Sequence, residues 1–466
     1  MAVSTDANIL AMLKVYYRDK VENLLFRDSP VLGKFKKIRV GGSSVNFPAV
    51  YGHGGAVGGN YLKAKANAAA VARDVQLAVT PGNLFSVYTM SSKEVLASRA
   101  PNMAFMNVAG LQMDAATDAF RKTMATALYG TGYGEIAAVT SAYAFVANTA
   151  INITLPNSAI MGIDIGTIID EKSNISSSTI NTTLTVNSIG DDGTVNVTPS
   201  ASYTATVNDV FCLDGSIGTS GEARLPVGFG GWLPTVSGRT GAAWNTYIEN
   251  SFFGVNRSLA VSRLAGVFYQ AKTATEKYST SVEQLLMKLR RQGGRPDIMV
   301  LNDQDWLGMS AEIASTSTFF NQTPTKEKKV GNLGHADITA AFSTNYIENI
   351  YDDPFAPQGR FYILSEDALE LLSMTNPDKV DSMIVGNEAG KADLPQNDGQ
   401  ANTNYQLLIE DYLNVQSSEG TIDGPGTQVT LQFFGTYAVV NPSVCGVGEF
   451  GATTSGTTDW ALSVAY

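Results

Sequence analysis

PDIMVLNDQDWLGM, Pro296 to Met309, is the stretch whose reading decides the fold. Ile298 to Leu301 is a continuous apolar run, too short for a helix and flanked by polar residues, so it reads as a buried strand. Just upstream, Ser279 to Arg291 puts Val282, Leu285, Leu286 and Leu289 on one face of a short helix. Lys288, Arg290 and Arg291 gather in its last turn, where cations suit the negative end of the helix dipole, and Gly293 and Gly294 end it. Asn302 to Trp306 reads as a turn.

Downstream, Arg360 to Leu364 reads as a second buried strand, with Ser365, Glu366 and Asp367 as a helix start followed by Leu369, Leu371 and Leu372. Tyr405 to Val415 and Val429 to Val440 are extended, and Asn441 and Pro442 turn the chain toward Val447, Gly448 and Phe450.

Upstream, Pro101 opens the longest helical pattern, Asn102 to Leu128. Met106, Ala109, Met113, Ala116, Phe120 and Ala127 follow the three-four spacing, and Asp118 can pair with Lys122 one turn on. At 1.5 Å per residue it makes a rod of about 40 Å, stopped by Gly130 and Gly132. Residues 136 to 235 trade charge for Thr, Ser, Asn, Val and Ile. Alternating segments at Ile151 to Leu155, Thr182 to Val186, Thr194 to Thr198 and Val210 to Leu213 predict a small antiparallel β domain.

Before the long helix, Val45, Phe47 and Ala49 alternate as one strand, and Val75, Leu77 and Val79, then Phe85 and Val87, as a second extended stretch. Between them lie a glycine-rich tip around His53 and a small, polar segment that is cationic at Lys63, Lys65 and Arg73. A long two-stranded loop of this kind is marginal alone and needs a partner surface. Residues 8 to 26 place Ile9, Leu13, Tyr16, Tyr17, Leu24 and Leu25 at helical spacing, as an ordinary first helix or as an arm offering that face to a neighbour.

The 466 residues are 44% hydrophobic, enough for a large core in two to four modules, and the 44 glycines suit a loop-rich chain. A net charge of −11 argues against tight wrapping of nucleic acid, which is bound mainly by neutralising phosphates, although it allows a wall around packaged DNA. Cys212 and Cys445, each in an apolar strand-like context, read as buried free thiols in a reducing cytoplasm. No segment reaches membrane-spanning length, and charges interrupt the N-terminus where a signal peptide would be apolar.

Catalytic chemistry finds little footing. The two histidines, His53 and His335, sit in loop contexts, and no HExxH, GxSxG or paired CxxC occurs. The run Gly130 to Glu135 follows a helix and precedes a strand, the reverse of a dinucleotide loop. Asp191 with Asp192 and Asp352 with Asp353 read as turn residues beside Gly193 and Pro354 more readily than as calcium ligands. The Asn-x-Ser/Thr triplets at Asn152, Asn174, Asn181 and Asn196 arise by chance in a Thr-rich segment. No enzyme activity, cofactor or metal is expected.

In its order of elements the chain resembles the major capsid proteins of tailed bacteriophages, the Hong Kong 97-type fold; the 136–235 segment lies outside that resemblance. It implies an α+β chain in seven parts. These are an N-terminal arm (1–35), an extended β-hairpin loop (36–92), a peripheral domain with its spine helix (93–135), an inserted small all-β domain (136–240), an axial domain (241–400), peripheral return strands (401–428), and an axial closing strand with C-terminal tail (429–466). It further implies hexamers and pentamers in an icosahedral shell around DNA, without sequence-specific binding and without membrane, assembled in a bacterial cytoplasm. Contacts between subunits are expected at Leu13 and Tyr17 of the arm and at Phe47, Lys63, Lys65 and Arg73 of the loop, with Met113, Phe120, Val300 and Trp306 in packing.

The capsid-like pattern begins almost at Met1, so a separate scaffold protein is expected in place of a cleaved extension, together with a portal and a decoration protein where one exists. Lys63 and Lys65 lie where the Hong Kong phage forms a covalent crosslink, but no matching asparagine and carboxylate are found, and no crosslink is implied. An encapsulin shares the fold, yet this chain is long and its loop extended. A β-rich adhesin or surface-layer protein would explain the Thr and Asn content and leave the long helix unexplained.

Overall fold

The computed structural model describes residues 31–52, 59–67, 73–91, 108–175, 177–190, 193–316, 347, 349–374, 405–409, 413–418 and 426–451. The predicted first helix, His53, Asp191, Asp192 and His335 lie outside them.

The stretch that opened the reading supplies an interior strand of a five-stranded sheet, in the order Val267–Gln270, Gly446–Glu449, Arg360–Leu364, Ile298–Leu301, Asn349–Asp352. Ile298 to Leu301 is buried at every position because the sheet is covered on both sides. Ile298 and Val300 point into the main core, while Met299 and Leu301 point into a second core. Its antiparallel partner divides likewise, Tyr362 and Leu364 to one side, Phe361 and Ile363 to the other.

The second core is closed by two helices. The first, Tyr278–Arg291, buries Val282, Leu285, Leu286 and Leu289 as its spacing predicts, and ends where Gly294 N–H donates to the Leu289 carbonyl at 3.1 Å. Asn302 to Trp306, predicted as a turn, instead opens a helix, Asp303–Thr316. The Asn302 side-chain oxygen accepts from Gln304 N–H at 3.0 Å, and Asp303 and Asp305 stand in the first turn, where carboxylates suit the helix dipole. Asp305, wholly buried, accepts from Gly359 N–H at 2.5 Å and fixes the turn before the Arg360 strand. The predicted helix start at Ser365 is a single 3-10 turn, Glu366–Ala368. Leu369, Leu371 and Leu372 lie on a strand, Leu369–Ser373.

That strand belongs to a second sheet, ordered Lys36–Arg39, Leu369–Ser373, Gly426–Val439, Leu413–Ser418, Tyr405–Ile409, with Gly82–Ser91 also pairing along Gly426–Val439. Phe85 and Val87 therefore do not extend the hairpin; they pair with the long C-terminal strand. The long helix, α1 (Val108–Tyr129), packs against this sheet. Phe120, Met124 and Leu128 are buried on it, and Tyr437 O–H donates to the Met124 carbonyl at 3.1 Å. Lys122 pairs with Asp164 of the β segment, at 3.4 Å; the side chain of Asp118, its expected partner, lies outside the described residues.

After α1 the chain turns through Gly132 (φ +96°) into a six-stranded antiparallel sheet ordered Glu135–Ala138, Val210–Leu213, Ile168–Lys172, Thr182–Ile189, Thr194–Pro199, Ile151–Thr154. It has its own core, including Ile153, Ile169, Leu184, Val195 and Phe211. The expected end of this unit at 240 falls too late. Leu225, Val227, Phe229, Trp232 and Leu233 already lie in the main core, and Trp232 Nε1 donates to the Tyr437 carbonyl at 2.8 Å. Apolar side chains close to a Thr-rich segment in sequence gave no sign of which core would take them. Gly228 sits at this crossing, where a Cβ would lie 2.1 Å from the Leu128 carbonyl oxygen, so only glycine fits.

Candidate assembly surfaces

Before α1 the chain forms a hairpin, Val45–Gly52 paired antiparallel with Arg73–Val79. Phe47 faces Leu77 and Val45 faces Val79 in register, and these apolar positions pack onto the main core. Burial fades outward. On the face turned to the core Val79 and Leu77 are buried, Val75 is half-buried and Arg73 is exposed; Val50, 62% exposed, stands on the other face. Two bonds tie the hairpin to the body: Ala78 N–H donates to the Phe253 carbonyl at 2.9 Å, and Arg263 Nη1 donates to the Tyr51 carbonyl at 2.5 Å.

The tip carries a short helix, Tyr61–Asn67, capped by the Asn60 side chain, which accepts from Leu62 N–H at 2.9 Å. Its aromatic and aliphatic side chains face outward, Tyr61 at 76% and Leu62 at 73% exposure. Large apolar groups left this open on a hairpin end have no partner among the described residues. Sequence reading missed them because the segment is small and polar on average; the Asn before Tyr61-Leu62 was the available signal.

Of the predicted contact residues, Lys63, Lys65 and Arg73 are exposed on the hairpin. Phe47 is half-buried against its own chain's core, which leaves only part of the ring for a neighbour. Leu13 and Tyr17 lie outside the described residues, as does the side chain of Met113 on α1. Phe120 and Val300 are buried in the main core, and Trp306 is half-buried against the second. A second exposed apolar patch is formed by Phe85 and Val87, with Phe85 edge-on to Phe434 at 5.6 Å.

Asp353 is buried and accepts from Tyr129 O–H at 2.7 Å, whereas Asp352 is exposed, so the pair does not act as one unit. The β segment encloses ionisable groups. Burial and the facing Asp209 push Glu171 up to about 8, and burial and Asp214 push Asp170 up to about 6 against the pull of Lys172, 3.9 Å away. Cys212 and Cys445 are buried free thiols. Among the described residues no group of three or more His, Cys, Asp or Glu is placed to hold a metal, and no helix is long and apolar enough to cross a membrane.

The sequence matches no family model and no curated protein. Among solved structures the chain is similar to the capsid asymmetric unit of cyanophage A-1(L), at a TM-score of 0.51 and 11% identity over 91% of this chain and 93% of that one. It also aligns with the capsid of a native GTA particle, at 0.39 and 8% over 91% and 90%, and with the SrpI encapsulin of Synechococcus elongatus PCC 7942, at 0.35 and 7% over 90% and 86%. The chain has the mixed helix-and-sheet fold of a phage capsid protein.

Proposed function

We propose that this chain is the major capsid protein of a tailed phage, assembling as hexamers and pentamers into an icosahedral head around double-stranded DNA. The observation that carries the reading is the likeness to the cyanophage capsid over nine-tenths of both chains. Its parts take the roles of a Hong Kong 97-type subunit. The hairpin with its exposed tip is the extended loop, α1 the spine helix, the five-stranded sheet with its two helices the axial domain, the sheet built on Gly426–Val439 the peripheral domain, and the six-stranded unit an insertion.

One chain must fit non-identical environments, so stiff domains carry specific contacts and the projecting hairpin absorbs the differences. Each contact is modest. Apolar burial at about 25 cal/mol per Å² over several interfaces gives a stable closed shell from weak pairs. Assembly in a bacterial cytoplasm with a separate scaffold protein and a portal belongs to the same reading. Electron microscopy of the overexpressed, nuclease-treated protein tests it. Closed icosahedral particles are expected, and a monodisperse monomer at high concentration would refute it.

A further inference from the structure

The five-stranded sheet ends in two edges of opposite charge. Beside the edge strand Val267–Gln270 opens a groove bordered by Arg239, Lys288 and Arg291. A second groove shares Arg291 and continues past Arg263 along the hairpin strand from Pro48 to Tyr51. Neutral oxygens hold Arg239 and Lys288 in place. Arg239 donates to the carbonyls of Pro234, Gly266 and Ala265, at 2.8, 2.7 and 2.7 Å, and Lys288 Nζ to that of Phe268 at 2.8 Å. Among the described residues none of the four cations stands in an ion pair; the pairs present lie elsewhere. The cations repel one another: burial, Arg239, Lys272 and Arg291 together hold the Lys288 ammonium below its ordinary value.

At the opposite edge, Asp352 ends the strand Asn349–Asp352 in register with Leu301, and Asp303, two residues beyond Leu301, opens the following helix. Both carboxylates are exposed at this corner. The nearby Lys34 is engaged with Glu366, 3.8 Å away, and lies over the Tyr351 ring. Four inter-strand steps separate the edges, about 19 Å, which is more than twice the screening length of about 8 Å in physiological salt. A chain cannot neutralise one edge with the other.

We propose that the groove at Arg239, Lys288 and Arg291 receives the Asp303 and Asp352 carboxylates of a second copy of this chain, joining copies head to tail along the sheet. The inference rests on the shell reading above and adds the residues that set partner and register. A second copy fits better than nucleic acid, because a chain with net charge −11 offers acidic surface to itself and, taken whole, repels a long polyanion. Contact between opposite edges is heterologous, the geometry that closes into rings.

The test is charge reversal and exchange in the full chain. Lys288→Glu with Arg291→Glu, and separately Asp303→Lys with Asp352→Lys, are each expected to cut the yield of sedimenting particles by about tenfold or more while melting as cooperatively as wild type. All four changes together restore particles. Undiminished assembly of either pair, or no recovery in the combination, overturns the proposal. So does a Lys288/Arg291 variant that assembles normally and loses only nuclease-protected nucleic acid. Carbodiimide coupling of mixed isotopically light and heavy wild-type chains reads the contact without particles. An inter-chain link from Lys288 to Asp303 or Asp352 supports it and its absence overturns it. Wild-type protein that forms no particles refutes the shell reading on its own account.

Discussion

Tyr129 O–H donates to Asp353 Oδ2 at 2.7 Å across 224 positions of sequence, joining the last turn of α1 to the loop that follows the edge strand Asn349–Asp352. Both groups are buried, and the other carboxylate oxygen accepts from Phe355 N–H at 3.0 Å. The bond fixes the long helix against the five-stranded sheet, so its loss is felt by both. Tyr129→Phe leaves a buried carboxylate short of a donor and is expected to lower unfolding free energy by about 1–3 kcal/mol in urea titrations. An unchanged midpoint would mean that water replaces the hydroxyl freely.

The two chain crossings into the six-stranded unit lie side by side, because Leu225 N–H donates to the Gly132 carbonyl at 3.0 Å. Replacing residues 133–224 by a short Gly-Ser linker therefore keeps Phe229 and Trp232 in the main core. The shortened chain is expected to melt as one cooperative unit by calorimetry. Excision that runs on to Pro234 is expected to abolish that transition, since it empties the core of Phe229, Trp232 and Leu233.

Glu171 gives the six-stranded unit a pH dependence of definite sign. Its folded value, about 8, lies above the ordinary carboxyl value of 4.5, so the folded state holds a proton that the unfolded state releases. The stability this contributes is complete below the ordinary value and is lost as pH rises toward 8, at up to about 1.4 kcal/mol per pH unit. Asp170 acts in the same direction up to about 6. Thermal melts from pH 5 to pH 8.5 should fall for wild type and flatten for Glu171→Gln. A parallel fall in both proteins would place the proton elsewhere.

Removing residues 53–70, the hairpin end with Tyr61 and Leu62, is expected to leave a folded protein that does not close shells. The strands at the base stay held by Phe253 and Arg263. Normal particles in electron micrographs from this variant would count against the extended-loop assignment.

Burial makes both cysteines poor nucleophiles; it raises the Cys445 thiol to about 12 and Cys212 further still. Neither is expected to react with Ellman's reagent at pH 8 until denaturant is added, when both react. Rapid labelling of native protein would show that the strand Val210–Leu213 or the turn before Gly446–Glu449 opens.

The fold was legible wherever one residue run meets one environment. Ile298–Leu301 is apolar at every position because the sheet is covered on both faces, and Tyr278–Arg291 repeats its leucines at helical spacing because only one face is. The β segment announced itself by alternation, and its strands fall where the alternation lies. Two local readings failed for a local reason. Asn302 caps a helix as readily as it opens a turn, and Leu369 to Leu372 suits a strand once Gly426–Val439 lies beside it.

By itself, then, the sequence determined the succession of buried strands, long helix and Thr-rich unit, because the period of apolar residues is set by the backbone nearest to them. Only the tertiary structure decided where Phe229 and Trp232 are buried, which strand Phe85 pairs with, that Tyr129 meets Asp353, and that cations and carboxylates collect on opposite edges of one sheet. Those relations join residues tens to hundreds of positions apart, and side-chain spacing carries no record of a partner that distant until the chain has closed on itself.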